Sequence, residues 1–435
     1  MTRALAIAAL CATTAAHSQS YTSWFTGNTT DAEVQPQFGL CLMGGGGESD
    51  EAMQWFLERA NGGDVVVLRT SGSDGYNNYL FSELGVPVNS VETIRFNNAS
   101  AANDPYVIDR LAKAEAIWIA GGNQANYVNY WRNTPVQDAI NHLINVKGGV
   151  VGGISAGMAI MGQAYFAALN GGMTQATALN NPFNTNMTIG WNDFIDAPFL
   201  KNVITDTHFN DPQALRYGRL TTFMARVMHD HGVRALGMGA NEYCAIAIDE
   251  TGLARAFGEF GTQWPDDFVY FLQPNCIEPS APEVMQSGQP LTWVRGNEAV
   301  KVYRVPATVS GQNYFDLNTW NEGGGGTWMN WYVNNGQLTM EPAAGAPGCI
   351  LFVRATKAPF AVRLYPNPAS DVLTVYTDEA QWQYRIYDLT GRLVAEGKSV
   401  ADRKELQVSH LAAGLYKIAV SAGDFTYSAS FVRGY

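Results

Sequence analysis

Charged side chains make up only 15% of this 435-residue sequence, too few for an intrinsically disordered chain, whereas 46% apolar residues suffice for buried cores. Basic residues are the scarcer sign: 27 Lys and Arg face 39 Asp and Glu, a formal charge of −12. Such a chain binds phosphate backbones poorly, which excludes nucleic acid as a partner. Beyond the N-terminus there is no run of about 18 apolar residues, so no spanning helix is expected in the mature protein. No sequence period supports a collagen-like or low-complexity reading. No CxxC or Cys/His spacing suggests zinc, and His229-Asp230-His231 reads as a solvated helix end, because residues two apart on a helix face different sides. The run Gly44–Gly47 is neither G-x-G-x-x-G nor a P-loop, which argues against nucleotide binding. No metal and no cofactor are expected.

What is present starts with a leader. Met1-Thr2-Arg3 carries one positive charge, residues 4–16 are apolar, and Ala16-His17-Ser18 and Ser18-Gln19-Ser20 offer small residues at cleavage spacing. Residues 1–20 therefore read as a secretory signal peptide. Of five cysteines, Cys11 would leave with it. The remaining four allow three pairings among which sequence does not choose; Cys276 and Cys349, in Pro-containing loop contexts, form the favoured bridge, while Cys41 and Cys244, in apolar runs, fit buried free thiols as well as a second bridge.

Length allows two to four domains. Over residues 37–280, short apolar runs at 38–43, 64–69, 116–120 and 150–153 alternate with helical patterns at 50–60, 105–112, 135–146 and 156–167. This alternation predicts βαβ units and an α/β fold with a doubly wound, mostly parallel sheet, in which ligands bind beyond the carboxyl ends of the strands. Residues 281–357 lose helical periodicity and read as a β-rich extension with strands near 300–305, 312–317 and 328–333. Trp320, Trp328 and Trp331 in this stretch read as a packing face rather than a carbohydrate platform. Residues 362–435 show short alternating strands every 8–12 residues, the pattern of a small all-β sandwich.

Chemistry concentrates at Gly153-Ile154-Ser155-Ala156-Gly157, a G-x-S-x-G elbow with a predicted strand before it and a predicted helix after it. The glycines leave room for a strained serine, and the Ala156 N–H at a helix start can donate to an oxyanion. Among six histidines, His208 comes off a predicted strand end and is the best-placed base. Glu242, at another predicted strand end, is the choice for the group that orients the imidazole. The order Ser155, His208, Glu242 differs from the Ser, acid, His order of α/β-hydrolases, which argues against a lipase or esterase.

Residues 37–280 resemble the cyanophycinase and dipeptidase E family of serine peptidases. The resemblance rests on Gly44-Gly45-Gly46-Gly47-Glu48-Ser49, Ala120-Gly121-Gly122-Asn123-Gln124, the elbow, Asp206-Thr207-His208-Phe209, Arg216-Tyr217-Gly218-Arg219-Leu220 and Gly237-Met238-Gly239-Ala240-Asn241-Glu242-Tyr243. It implies a flavodoxin-like fold related to class I glutamine amidotransferases. It also implies Ser155 as nucleophile, His208 as base, Glu242 as supporting acid, and an oxyanion hole from Gly122 and Ala156. Substrate-binding residues would be Gln124, Asp206, Arg216 and Arg219. Two departures bear on selectivity: residues 210–215 contain no arginine, and the acid follows Asn241 rather than an aspartate. Losing a bidentate guanidinium would relax β-aspartyl selectivity.

The last segment resembles the C-terminal sorting domain of type IX secretion, through Tyr365-Pro366-Asn367-Pro368, Tyr387-Asp388-Leu389-Thr390-Gly391-Arg392, Leu411-Ala412-Ala413-Gly414-Leu415-Tyr416 and the ending Phe431-Val432-Arg433-Gly434-Tyr435. That resemblance implies secretion machinery as a partner and a secreted or cell-surface location reached through the periplasm. The expected activity is acyl-enzyme hydrolysis of aspartyl-containing peptides or polyamides, cyanophycin foremost. The alternatives are other acidic peptides, or a non-catalytic surface protein on a peptidase scaffold. A homodimer is compatible with the sequence.

Overall fold

The computed structural model describes residues 19–261, 266–277, 279–347, 362–377, 379–388, 392–422 and 425–434. The expected signal peptide and Cys349 lie outside them, apart from Gln19 and Ser20. The chain divides into two compact units at residues 349 and 350.

The first unit is α/β, but its sheets are mixed. Ten strands form one sheet in the order Tyr21–Gly27, Ser90–Phe96, Asp64–Arg69, Ala116–Ile119, Val150–Ile154, Gly39–Met43, Ala245–Ile248, Leu253–Phe257, Tyr314–Asp316, Gly323–Gly324. Only the run from Ser90–Phe96 to Gly39–Met43 pairs in parallel. Eight further strands form a second sheet: Gln337–Pro342, Thr327–Asn334, Val300–Pro306, Phe268–Pro274, Leu236–Ala240, Val203–Asp206, Ala164–Phe166, Ile189–Trp191. Here Val203–Asp206 runs parallel to Leu236–Ala240 and to Ala164–Phe166, and the other pairs are antiparallel.

The single, mostly parallel sheet expected from the sequence is thus corrected to two mixed sheets. In chain order the parallel run reads 3-2-4-5-1, not the 2-1-3-4-5 of a flavodoxin-like sheet. Antiparallel strands enter both sheets before residue 280, at Tyr21–Gly27, Ala245–Ile248 and Leu253–Phe257 in the first and at Ile189–Trp191 and Phe268–Pro274 in the second, and the segment after 280 extends both sheets. Pairing between distant segments is not encoded in local periodicity.

Strand period explains why the first sheet is buried on both faces. Leu40, Leu42, Val66, Leu68, Ile117 and Ile119 join one core cluster, while the alternating Cys41, Met43, Val65, Val67, Ala116 and Trp118 join another. Helix Asp50–Arg59 covers the second face with Met53, Phe56 and Leu57, and Ser49 caps its N-terminus. Helices Pro105–Lys113, Gln124–Trp131 and Pro135–His142 supply Val107, Val128, Trp131 and Ile140 to the first face. The second sheet shares that cluster through Met238, Phe271 and Val305, and turns Leu272, Val302 and Trp331 toward helix Tyr217–His231. Trp320 and Trp331 are buried and Trp328 packs against the core, so this aromatic set is structural.

Among the described residues, no helix is long and apolar enough to cross a membrane. Cys41 and Cys244 are buried free thiols, and Cys276 is disulfide-bonded. The second unit is all-β. It consists of a three-stranded and a four-stranded sheet around Leu373, Val375, Trp382, Ile386, Ile418, Val420 and Phe431.

Candidate active site

Four strands of the first unit end at one place. Gly39–Met43 and Val150–Ile154 come from the first sheet; Val203–Asp206 and Leu236–Ala240 come from the second. Ser155 follows Val150–Ile154 directly, while His208 and Glu242 each stand two residues beyond a strand of the second sheet. Ser155 Oγ lies 2.7 Å from His208 Nε2, and His208 Nδ1 lies 2.6 Å from Glu242 Oε1. The imidazole and carboxylate side chains are 23% and 30% exposed, so the relay is shielded yet reachable from solvent. A carboxylate accepting from Nδ1–H leaves Nε2 as the acceptor for a hydroxyl proton, the tautomer a general base needs.

The local backbone is strained at the chemistry. Ser155 has φ 54° and ψ −113°, His208 has φ 48° and Tyr243 has φ 61°. Gly153 and Gly157 make the serine turn sterically feasible: a Cβ on Gly157 would collide with the Ile119 carbonyl, and one on Gly153 would lie 2.8 Å from the Gly157 carbonyl carbon. The helix expected over 156–167 is one turn, Ala156–Ala159, after which the chain turns into strand Ala164–Phe166. Gly162 permits that turn, since a Cβ there would come 2.5 Å from the Val203 carbonyl oxygen. With so short a helix, any stabilisation by Ala156 comes from its own N–H and not from a helix dipole.

Of the expected oxyanion donors, Ala156 opens the single helical turn after the serine and Gly122 lies on the loop after strand Ala116–Ile119. Gly121 packs beside Ser155, with its Cβ position 3.6 Å from the Ser155 Cβ. The Tyr127 hydroxyl donates to the Ala120 carbonyl at 2.8 Å and to the Gly121 carbonyl at 3.1 Å. In a trans peptide the next N–H points the opposite way, so the Gly122 N–H faces away from Tyr127. Among the described residues neither the Ala156 N–H nor the Gly122 N–H has a protein acceptor. Gln124 is half-buried and opens helix Gln124–Trp131, with Asn123 as its N-cap.

The two arginines separate. Arg219 is buried with Asp206: its Nε donates to Asp206 Oδ2 at 2.9 Å, Nη2 bonds Oδ1, and Nη1 donates to the Met173 carbonyl at 2.9 Å. Asp206 and Arg219, both expected at the substrate, are here buried against each other, and Asp206 Oδ1 also accepts from the Thr207 N–H at 2.9 Å. They brace the strand end that carries His208. Arg216 donates from Nη1 to the Thr207 carbonyl at 3.1 Å and, among the described residues, has no carboxylate partner. Desolvation, followed by repulsion from Arg219, holds its pKa below the ordinary arginine value. A cation in that state favours an incoming carboxylate.

Sequence reasoning passed over Asn210. Its Oδ1 accepts from the Glu242 N–H at 2.9 Å and its Nδ2 donates to Asp266 Oδ2 at 3.2 Å, tying the acid's backbone to the loop after His208. Nothing in the local pattern marks that residue, because both partners are distant in the chain. A cavity of about 180 Å³ beside Tyr243 is lined by Glu48, Asp50, Glu51 and Glu259. Tyr76 bonds Glu48, and the Tyr79 hydroxyl donates to Asp50 at 2.7 Å. Among the described residues no cluster of three or more His, Cys, Asp or Glu is arranged to hold a metal ion.

With this geometry in view, comparison with known proteins identifies the modules. Residues 75–254 match the model of peptidase family S51, and residues 363–433 match the secretion system C-terminal sorting domain. The first unit thus contains a region similar to peptidase family S51, and the second unit a region similar to the secretion system C-terminal sorting domain. It is similar to the cyanophycinase of Synechococcus elongatus, at 25% identity over 232 residues, which covers 51% of this chain and 66% of that one. It is also similar to the cyanophycinase of Geminocystis herdmanii, at 27% identity over 205 residues, covering 45% of this chain and 68% of that one. The first match thus spans just under two thirds of the relative's length. Among solved structures, a peptidase from an acI-B1 actinobacterium aligns at a TM-score of 0.38 and 16% identity, covering 52% of this chain and 89% of that one.

Proposed function

We propose that the protein is an exported serine peptidase that hydrolyses bonds beside acidic residues through an acyl-enzyme, with an aspartyl polyamide of the cyanophycin type as the favoured substrate. The observation that carries the reading is the unbroken hydrogen-bonded line from the Ser155 hydroxyl through His208 to Glu242. His208 Nε2 takes the hydroxyl proton as Ser155 Oγ attacks the carbonyl carbon. The Ala156 and Gly122 N–H groups receive the oxyanion, and loss of one such donor costs about 3 kcal/mol in barrier. The imidazolium, stabilised by Glu242, protonates the leaving amine, and water deacylates the serine by the same route.

Arg216 is the cation available for a substrate carboxylate, and Gln124 is the second positioning group. The acidic cavity beside Tyr243 supports a substrate that also carries guanidinium groups, as an aspartyl-arginine polymer does. The domain limits that go with this reading are 1–20 for the leader, 37–280 for the peptidase, 281–357 for the β-rich extension and 362–435 for the sorting domain. The test is a cleavage screen of the purified protein against cyanophycin and α- and β-aspartyl peptides, with Ser155→Ala as control. Turnover should vanish in the variant while the unfolding midpoint is kept. Undiminished hydrolysis by Ser155→Ala would remove the assignment.

A further inference from the structure

Three residues that follow one another in the chain touch all three arms of the relay. The Ser155 N–H donates to the Met43 carbonyl at 3.0 Å, the His208 N–H donates to the Gly44 carbonyl at 2.8 Å, and the Tyr243 N–H donates to the Gly45 carbonyl at 2.7 Å. Tyr243 is the residue after Glu242. Ser155, His208 and Tyr243 are also residues held at positive φ, a conformation that persists only where surroundings dictate it. Met43 ends a strand of the first sheet, while His208 and Glu242 stand on the second. These three carbonyls therefore tie the serine's sheet to the base and acid of the other.

The glycines are required on steric grounds. Gly45 has φ +126°, and a Cβ there would lie 2.5 Å from His208 Nε2, so the bare Cα forms the floor under the imidazole. A Cβ on Gly44 would strike the Asn241 carbonyl, so the chain passes directly over the strand end that carries Glu242. The Gly44 N–H in turn donates to the Cys244 carbonyl at 2.9 Å, closing the loop on the far side of the acid.

We propose that Met43-Gly44-Gly45 is the positioning device of the Ser155–His208–Glu242 relay, with Gly45 setting the plane of the imidazole; this rests on the peptidase reading above. Gly45 touches His208 and acts through it, so it is a positioning residue. The run Gly44–Gly47, whose spacing argues against a nucleotide loop, aligns the base between nucleophile and acid.

The test is a double-variant cycle on the full chain that does not depend on turnover. Gly45→Ala is made in the wild-type and His208→Ala backgrounds, and unfolding midpoints are measured. The positive-φ penalty of the alanine is common to both and cancels, whereas its clash with the imidazole exists only where His208 is present. Gly45→Ala should lower the midpoint by several degrees more with His208 than without it. Folding only in the His208→Ala background would express the same coupling. Gly62→Ala, at φ +77° with nothing within 4 Å of its Cβ position, serves as the strain control. On an aspartyl peptide, Gly45→Ala should lower kcat about 100-fold with KM changed less than about threefold, and Gly62→Ala should leave both as they are. Equal midpoint costs in the two backgrounds, or failure to fold in both, would overturn the positioning role. Strong coupling in a protein that cleaves no peptide would leave the positioning role standing and bring down the peptidase reading instead.

Discussion

Replacing Glu242 by glutamine removes one charge and little volume, which isolates what the acid does. In the resting state its Oε1 is 2.6 Å from His208 Nδ1. In the transition state the imidazole becomes a cation, with charge centres about 4 Å apart. At an effective dielectric constant of about 20, the attraction is about 4 kcal/mol. The side chains are 23% and 30% exposed, so solvent screening roughly halves this, leaving about 2 kcal/mol, or ~30-fold in rate. The amide adds a second effect. If its NH2 group faces Nδ1, the ring proton moves to Nε2, which then cannot accept from Ser155. In serine triads, neutralising the orienting carboxylate lowers kcat by about 10⁴. The expected fall for Glu242→Gln is therefore between about 30-fold and 10⁴-fold in kcat, with KM nearly constant and the unfolding midpoint kept. Steady-state kinetics on an aspartyl peptide between pH 6 and 9 measure it. A loss smaller than tenfold across that range would show that the proton relay does not run through this pair.

Buried charge and buried thiols carry three further outcomes. Asp206→Ala strands the Arg219 guanidinium, 6% exposed, without its anion, and should cost about 3–5 kcal/mol in denaturant unfolding; a change under 1 kcal/mol would contradict the buried pair. Burial pushes the Cys41 thiol from 9.0 up to about 12. The unfolded thiol ionises first, so this contribution to stability is whole below pH 9 and is lost as pH rises toward 12. Three pKa units correspond to about 4 kcal/mol. Cys41→Ala should flatten the alkaline limb of the stability profile, and Cys41 and Cys244 should react with a thiol reagent only after unfolding; labelling of either in the native protein would refute the burial.

Much of the site was legible because its chemistry sits at strand ends, where motifs are contiguous. The elbow around Ser155, the exit to His208 and the run before Glu242 are each local patterns of glycine, polar residue and preceding apolar strand. The strands at 64–69 and 116–119 were legible for the same reason: a β-branched or apolar run buried on both faces is read without knowing its neighbours. The helix after Ser155 was overextended because Ala156–Ala167 has helical composition; the strand at Ala164–Phe166 exists only through its partners in the second sheet.

What the amino-acid sequence determined by itself was the α/β class, the candidate nucleophile, base and acid, and the all-β character of the end of the chain. Each depends on residue type and spacing within about a dozen positions. Tertiary structure alone decided that the sheets are two and mixed, that Arg219 pairs with Asp206 while Arg216 has no carboxylate partner among the described residues, and that Asn210 and the carbonyls of residues 43–45 hold the relay. Those outcomes depend on which distant backbone and side-chain groups meet at one sheet edge. Hydrogen bonds and ion pairs are decided by that meeting, and a linear pattern carries no record of it.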